Sequence, residues 1–129
     1  KFVANRTYAN AYKSLGQIRY LSCMNLVDGV IGNSSSGLLE APTFKKGTIN
    51  IGDRQRGRLQ ARSVINCDPS QESITTALTK LYSREFQDDL SKTISPYGNG
   101  GASESIISTI KSVTLNDKLK KKFYDINNS

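Results

Sequence analysis

The chain has 129 residues, of which 36% are hydrophobic, and this suffices for one domain of ordinary size with a buried core. Its formal charge is +7, and no stretch is long or apolar enough to predict a membrane partner. Histidine is absent and the two cysteines have no metal-binding spacing, which excludes an ordinary zinc site and a Ser–His–Asp triad. Two lone cysteines are typical of a reducing cytosol, so we expect a cytoplasmic protein.

The first part of the chain predicts alternating strands and helices. Residues 10–15 form a candidate short strand, and apolar residues at helical spacing predict a helix over 16–27. The apolar run 28–32 predicts a buried strand. That strand leads into a Ser/Gly turn and then a short helix, which we expect Ser34 or Ser35 to cap.

Two further strands follow, and both are short and apolar. The patterns predict a strand over 48–52, a polar loop rich in arginine over 53–62, and a third buried strand over 63–67. A helix is then predicted to open with Asp68 as its N-cap and Pro69 as its first helical residue, because proline is tolerated at that position.

The last part of the chain predicts a loop and two helices. Residues 95–101 are rich in Gly and Pro, isoleucines predict a helix over 106–113, and a short final helix is predicted over 115–123. Because the strands are apolar on both faces, we expect an α/β fold of Rossmann-like, three-layer αβα type around a parallel sheet. Ligands of such sheets bind beyond the carboxyl ends of the strands.

The Ser/Gly turn is the strongest candidate for a binding site. Backbone N–H groups and the hydroxyls of Ser34, Ser35 and Ser36 offer donors to an anion, and Gly37 would let a ligand approach the backbone. Glu40, about one turn further on, could accept hydrogen bonds from a sugar diol. From spacing alone, a plain helix cap explains the serines equally well, and a surface carboxylate placed to suit the helix dipole is the simpler interpretation of Glu40.

Basic residues elsewhere favour less specific interpretations. Arg54, Arg56 and Arg58 lie in one loop and suit phosphate, but a solvated loop is the simpler interpretation. The lysine run 118–122 is most simply the exposed face of a helix. Aromatic residues do not interleave with the basic ones, so we expect no nucleic-acid partner. No pair of carboxylates is placed for acid–base chemistry, and the chain therefore looks equipped to bind an anion rather than to transform it.

Several of these motifs together resemble a known enzyme family. The run GNSSSG at 32–37 followed by Glu40, the run INIGDRQRGR at 49–58, and the run YGNGGASESII at 97–107 occur in this order. They resemble the C-terminal half of the hydrolysing UDP-N-acetylglucosamine 2-epimerases, and the similarity extends over about 14–113.

The resemblance implies a GT-B architecture of two Rossmann-like domains, the second of which holds UDP. It implies that the diphosphate is bound by Ser34, Ser35, Ser36, Gly37 and Arg54. It also implies that Glu40 binds the ribose hydroxyls and that the backbone of Leu15, at a strand end, contacts uracil.

In the family the enzyme removes the proton at C2 of the sugar, expels UDP and adds water, which yields N-acetylmannosamine. This product feeds sialic acid synthesis, and close relatives that use a diacetamido sugar feed legionaminic acid synthesis. The resemblance implies UDP and UDP-N-acetylhexosamine as ligands, with no metal and no cofactor. It also implies partners in an N-terminal domain of the same enzyme and a second copy of the chain.

The family's acid–base carboxylates lie in the N-terminal domain, so no residue of this chain is expected to be catalytic. Because the chain begins at Lys1 and the predicted sheet is at least one strand short of a complete domain, we expect residues 1–129 to be a single, incomplete C-terminal domain that is inactive alone. Two alternatives remain. A GT-B glycosyltransferase domain is disfavoured by the loop at 53–58, and a non-enzymatic basic binding module has only the +7 charge in its favour.

Overall fold

The computed structural model describes residues 2–114. Within that range the chain forms five helices and three strands. In chain order they are α1 (Gly16–Leu26), β1 (Gly29–Gly32), α2 (Ser36–Leu39), β2 (Gly47–Ile51), β3 (Val64–Cys67), α3 (Gln71–Leu81), α4 (Arg84–Leu90) and α5 (Ala102–Ser112). The helix predicted over 115–123 and the lysine run 118–122 lie outside the described residues.

The three strands form one parallel sheet in the order β1-β2-β3. The register places Val30 beside Thr48, and Thr48 beside Val64. All three carboxyl ends therefore meet at one edge of the sheet, where polar turns follow each strand. This confirms the predicted parallel sheet and the three strands that form it.

Helices cover both faces of this sheet, as expected for three layers. On one face Ile49 and Ile65 pack with Ala77 and Leu81 of α3 in the main hydrophobic cluster. On the other face Thr48 contacts α2. Successive residues of a strand point to opposite faces, so β2 carries apolar contacts to α3 and polar contacts to α2 on alternate residues.

The strand predicted over 10–15 is wrong. Residues 2–15 form turns and irregular structure that leads directly into α1. Residues 10–15 contain no β-branched side chain, and in the described part of the chain no strand pairs with this segment. A short segment without a pairing partner gains no ladder of hydrogen bonds, and weak strand propensity does not compensate for that loss.

The predicted start of α3 is two residues too early. Asp68 and Pro69 continue the chain out of β3, and Ser70 is the N-cap, whose hydroxyl accepts a 3.2 Å hydrogen bond from the N–H of Ser73. Ser83 caps α4 in the same way, accepting from the N–H of Phe86 at 3.3 Å, although no pattern had predicted α4. A serine that can reach the third residue of a helix satisfies a free donor, and this decides both starts.

Contacts divide the chain into two compact units, Lys1–Asn99 and Gly100–Ser129. The first unit holds the sheet, and the second holds α5, whose predicted helical periodicity is confirmed. Gly101 precedes α5 with a φ of 78°, a left-handed conformation that favours glycine. In the described range, every helix is too short or too polar to cross a bilayer.

Candidate functional site

The turn between β1 and α2, here the serine bend (residues 33–36), carries free backbone donors. The N–H of Gly37 is bonded to the carbonyl of Ser34 at 3.2 Å, and the N–H of Leu38 to that of Ser35 at 2.9 Å. The N–H groups of Ser34 and Ser35 themselves have no partner within residues 2–114. Two adjacent N–H groups without partners at the carboxyl edge of a parallel sheet are candidates for binding an anion.

The three serine hydroxyls have different surroundings. Ser34 is exposed and Ser35 is half-buried, whereas Ser36 is buried with its Oγ 2.6 Å from the hydroxyl of Tyr20. Ser35 is the N-cap of α2, as predicted, but its side chain makes no capping hydrogen bond. The Ser34 hydroxyl makes only a 3.4 Å contact with the N–H of Ser36. The hydroxyls of Ser34 and Ser35 are thus the ones placed to meet a ligand.

Gly37 is buried against β2, not placed at a ligand surface. A Cβ at this position would lie 2.5 Å from Cγ2 of Thr48, closer than real Cβ contacts allow. The structure therefore gives glycine at this position a packing reason, whereas the sequence had suggested ligand approach.

The loop over residues 53–58, here the arginine loop, lies against the serine bend. The side-chain amide of Gln55 donates a 2.7 Å hydrogen bond from Nε2 to the backbone carbonyl of Asn33. Arg54 donates from Nη1 to Oδ1 of Asn33 at 3.4 Å. Arg54 is exposed, as expected for a solvated loop, and its guanidinium contacts the Asn33 side chain in the serine bend; its proposed binding of a diphosphate stays a prediction.

Glu40 follows the bend by one turn, as the spacing predicted. Its backbone N–H is bonded to the carbonyl of Ser36 at 2.9 Å, and its side chain is half-buried. The carboxylate oxygen Oε2 is buried and has no hydrogen-bond partner in the described part of the chain. A carboxylate oxygen buried without a donor is costly, and the Glu40 side chain as a whole is only half-buried, so a ligand hydroxyl that reached this carboxylate would be favoured.

Leu15 lies just before α1 and not at a strand end, so that part of the expectation is wrong. Its side chain is half-buried, and its proposed contact with uracil stays a prediction. Helix α1 reaches the bend instead through the hydroxyl of Tyr20. Sequence reasoning missed both Tyr20 and Gln55. A tyrosine on an apolar helix face and a glutamine in a polar loop give no local signal of these contacts.

A concave region of about 760 Å³ lies at the carboxyl ends of β2 and β3. An amide chain lines it, in which Asn50 donates to Asn66 at 2.8 Å and Asn66 donates to Gln60 at 2.8 Å. Cys67 also lies here, and burial raises the pKa of its thiol, with the Asp68 carboxylate raising that pKa further. The Cys67 thiol therefore stays protonated to higher pH than an ordinary cysteine.

The exposed carboxylates of α4 belong to that helix rather than to the site. Asp88 lies 3.8 Å from Arg84, and Asp89 lies 3.2 Å from Lys92, each at helical spacing. Within the described residues no three metal-ligating side chains come together.

The groups at the serine bend are N–H donors, two serine hydroxyls and one guanidinium. Such groups can bind phosphate and hydroxyl groups through hydrogen bonds.

Comparison with known proteins identifies a family. A family model described as UDP-N-acetylglucosamine 2-epimerase matches residues 2–111. The chain is 42% identical over 123 residues to a GDP/UDP-N,N'-diacetylbacillosamine 2-epimerase (hydrolyzing) of Campylobacter jejuni, which covers 95% of this chain and 32% of the relative. It is 37% identical over 108 residues to the polysialic acid biosynthesis protein P7 of Escherichia coli, covering 83% of this chain and 28% of that protein.

A third relative is a UDP-N,N'-diacetylbacillosamine 2-epimerase (hydrolyzing) of Legionella pneumophila. It is 30% identical over 110 residues, which cover 85% of this chain and 28% of the relative. The chain thus spans less than a third of the length of these curated relatives.

Proposed function

Because the chain belongs to the UDP-N-acetylglucosamine 2-epimerase family, we propose that it is the UDP-binding part of a hydrolysing 2-epimerase acting on a UDP-linked 2-acetamido sugar. The observation that carries the proposal is the serine bend itself. Its two N–H groups without a partner among residues 2–114 follow Asn33, whose side chain Arg54 contacts. The half-buried carboxylate of Glu40, one oxygen of which lacks a donor in the same range, lies one turn further on.

Each part of UDP has a counterpart among these residues. The diphosphate would accept hydrogen bonds from the N–H groups and hydroxyls of Ser34 and Ser35, and Arg54 would supply a planar, charged donor. The ribose hydroxyls would donate to Glu40, and the uracil would meet the backbone near Leu15. The anionic diphosphate would thus meet hydrogen-bond donors, and the neighbouring ribose would meet a hydrogen-bond acceptor.

The same contacts would serve the chemistry. When the C2 proton is removed and the bond from C1 to the diphosphate oxygen breaks, negative charge grows on the departing UDP. Donors already aimed at the diphosphate stabilise that charge more in the transition state than in the bound substrate. Water then adds to the glycal. In this proposal the groups that move protons belong to the rest of the enzyme, with which this chain would form a GT-B cleft.

Relatives that are named for a diacetamido sugar support a 2-acetamido substrate. The product would be N-acetylmannosamine or its diacetamido counterpart, a precursor of sialic or legionaminic acid. A second copy of the chain is a further proposed partner. Cys23 and Cys67 are both free thiols, which supports the cytoplasm as the proposed compartment.

Calorimetric titration with UDP, pyrophosphate and uridine tests the proposal. We expect UDP to bind, with an affinity that falls as salt rises, and pyrophosphate to compete with it. Uridine should bind more weakly than UDP because it lacks the diphosphate. A folded sample that shows no heat with millimolar UDP would refute the proposed function. In the longer enzyme, release of N-acetylmannosamine or its diacetamido counterpart, without transfer to an acceptor, distinguishes the epimerase from a glycosyltransferase.

A further inference from the structure

Gln55 is a fully buried amide in an otherwise exposed loop. Its side chain is 2% exposed, whereas Arg54 and Arg56 on either side are exposed. Nε2 donates to the carbonyl of Asn33 at 2.7 Å. A carbonyl oxygen only accepts, so the orientation of this amide is determined by its partner.

This hydrogen bond fixes the direction of a donor in the bend. The carbonyl of Asn33 and the N–H of Ser34 belong to the same peptide group, which is trans. In a trans peptide the C=O and the N–H point in opposite directions. Holding the oxygen of Asn33 therefore aims the N–H of Ser34, which has no partner of its own among residues 2–114, away from Gln55. A hydrogen bond to the carbonyl also polarises the peptide and strengthens its N–H as a donor.

Packing alone does not explain an amide at this position. The other amide atom of Gln55, Oε1, is buried and has no partner in the described range. A methionine of similar length would fill the same space without leaving a buried oxygen unpaired, and such an oxygen costs stability. What methionine cannot supply is the donor to Asn33.

We propose that Gln55 is a positioning residue that aims the N–H of Ser34 at the diphosphate of the ligand and holds the adjacent Arg54 beside the same group. This inference rests on the proposed function. Gln55 itself touches no ligand atom in this account; it acts through the peptide group between Asn33 and Ser34 and through its chain neighbour Arg54.

The test compares Gln55→Met with Gln60→Met, a matched change at a half-buried glutamine that is bonded to Asn66 instead. In Gln55→Met we expect the amide resonance of Ser34 to move in the free protein. The dissociation constants for UDP and pyrophosphate should rise about tenfold, the effect of one lost or misdirected hydrogen bond to a charged group. The dissociation constant for uridine should change less than about twofold. Gln60→Met should leave the dissociation constants of all three ligands unchanged.

Two results would overturn the inference while leaving the proposed function intact. One is a folded Gln55→Met protein that binds UDP and pyrophosphate as tightly as the wild type. The other is an equal loss for uridine, which would mean a general disturbance of the site. If the wild type binds neither UDP nor pyrophosphate, the proposed function itself fails.

A measurement on the wild type covers the case in which Gln55→Met does not fold. During a pyrophosphate titration, the side-chain NH₂ resonances of Gln55 should shift with the same midpoint as the amide of Ser34, because one peptide group links them. Shifts at Ser34 with no change at Gln55 would contradict the inference.

Discussion

Thr48 of β2 and Gly37 of α2 hold the helix that follows the serine bend against the sheet through two contacts at once. Thr48 donates a 2.8 Å hydrogen bond from Oγ1 to the carbonyl of Gly37, and its Cγ2 methyl fills the space that a Cβ at position 37 would occupy. Both residues are buried, and Thr48 is 2% exposed. The register of α2 on β2 is therefore set by a residue without a side chain.

This relationship predicts that Gly37→Ala destabilises the protein. Helix propensity alone would make alanine the better residue by about 1 kcal/mol. The added Cβ would meet Cγ2 of Thr48 at 2.5 Å, and overpacking of this kind costs about 1–3 kcal/mol. Urea unfolding should show a lower midpoint with an unchanged slope.

Thr48→Ser is the matched control, because it removes Cγ2 and keeps the donor Oγ1. Combined with Gly37→Ala, it should recover part of the lost free energy of unfolding, so that the two changes are not additive. A Gly37→Ala protein that is more stable than the wild type would contradict the packing argument.

Tyr20→Phe should lower the free energy of unfolding by about 1 kcal/mol. The change removes the 2.6 Å hydrogen bond between the Tyr20 hydroxyl and Oγ of Ser36, a residue that is only 9% exposed. Tyr82→Phe serves as the control. Tyr82 is 61% exposed, so removing its hydroxyl should change the free energy of unfolding little. Equal shifts in the two thermal unfolding curves would show that the contact to Ser36 contributes nothing.

Glu40→Gln should weaken UDP binding about tenfold and leave pyrophosphate binding almost unchanged. The reason is that the carboxylate is proposed to accept hydrogen bonds from the ribose, which pyrophosphate lacks. Glu72→Gln, an exposed residue in the first turn of α3, is the matched control for loss of one negative charge. Calorimetry with both ligands decides the matter, and equal losses for the two would refute the ribose assignment.

Arg54→Gln should raise the dissociation constant for UDP about tenfold and flatten its salt dependence, because a charged donor beside the proposed diphosphate site is lost. Arg58→Gln removes the same charge from the same loop, at an exposed position for which the structure gives no side-chain contact to the bend. Titrations at two salt concentrations should separate the variants. If both lose affinity alike, only the net charge of the loop matters.

Cys67 should resist alkylation until high pH. Burial raises the pKa of its thiol, and the Asp68 carboxylate raises that pKa further. The folded state keeps the thiol proton at higher pH than the unfolded state, so the protonated Cys67 thiol contributes to the free energy of unfolding. That contribution is present below the unfolded pKa and is lost as the pH rises through the folded pKa. In a Cys23→Ser background, the pH midpoint of the iodoacetamide rate should lie higher for the folded protein than in urea.

Asp68→Asn should lower that midpoint only in part, because burial is the larger cause of the raised pKa. Asp89→Asn, a change in an exposed residue of α4, should leave it unchanged. A folded midpoint at or below that of the unfolded chain would contradict the prediction.

Strands and the longer helices were predictable because their signals are local. The apolar runs at 28–32, 48–52 and 63–67 each became a strand within one or two residues of the predicted bounds. Their apolar character on both faces correctly predicted a parallel sheet with helices on each side. The run 10–15 has a weaker pattern and no pairing partner in the described structure, which is why that prediction was wrong.

By itself the sequence determined the kinds of element, their order, and the serine bend with Glu40 one turn beyond it, since spacing along the chain sets all of these. Only the tertiary structure decided that Gln55 is buried against Asn33, 22 residues away, and that Tyr20 contacts Ser36, 16 residues away. A polar side chain has the same letter whether it faces water or a buried carbonyl. The surroundings of a polar side chain depend on chain segments that meet only after folding. The contacts of Gln55 and Tyr20 with the serine bend can therefore be identified only in the folded structure.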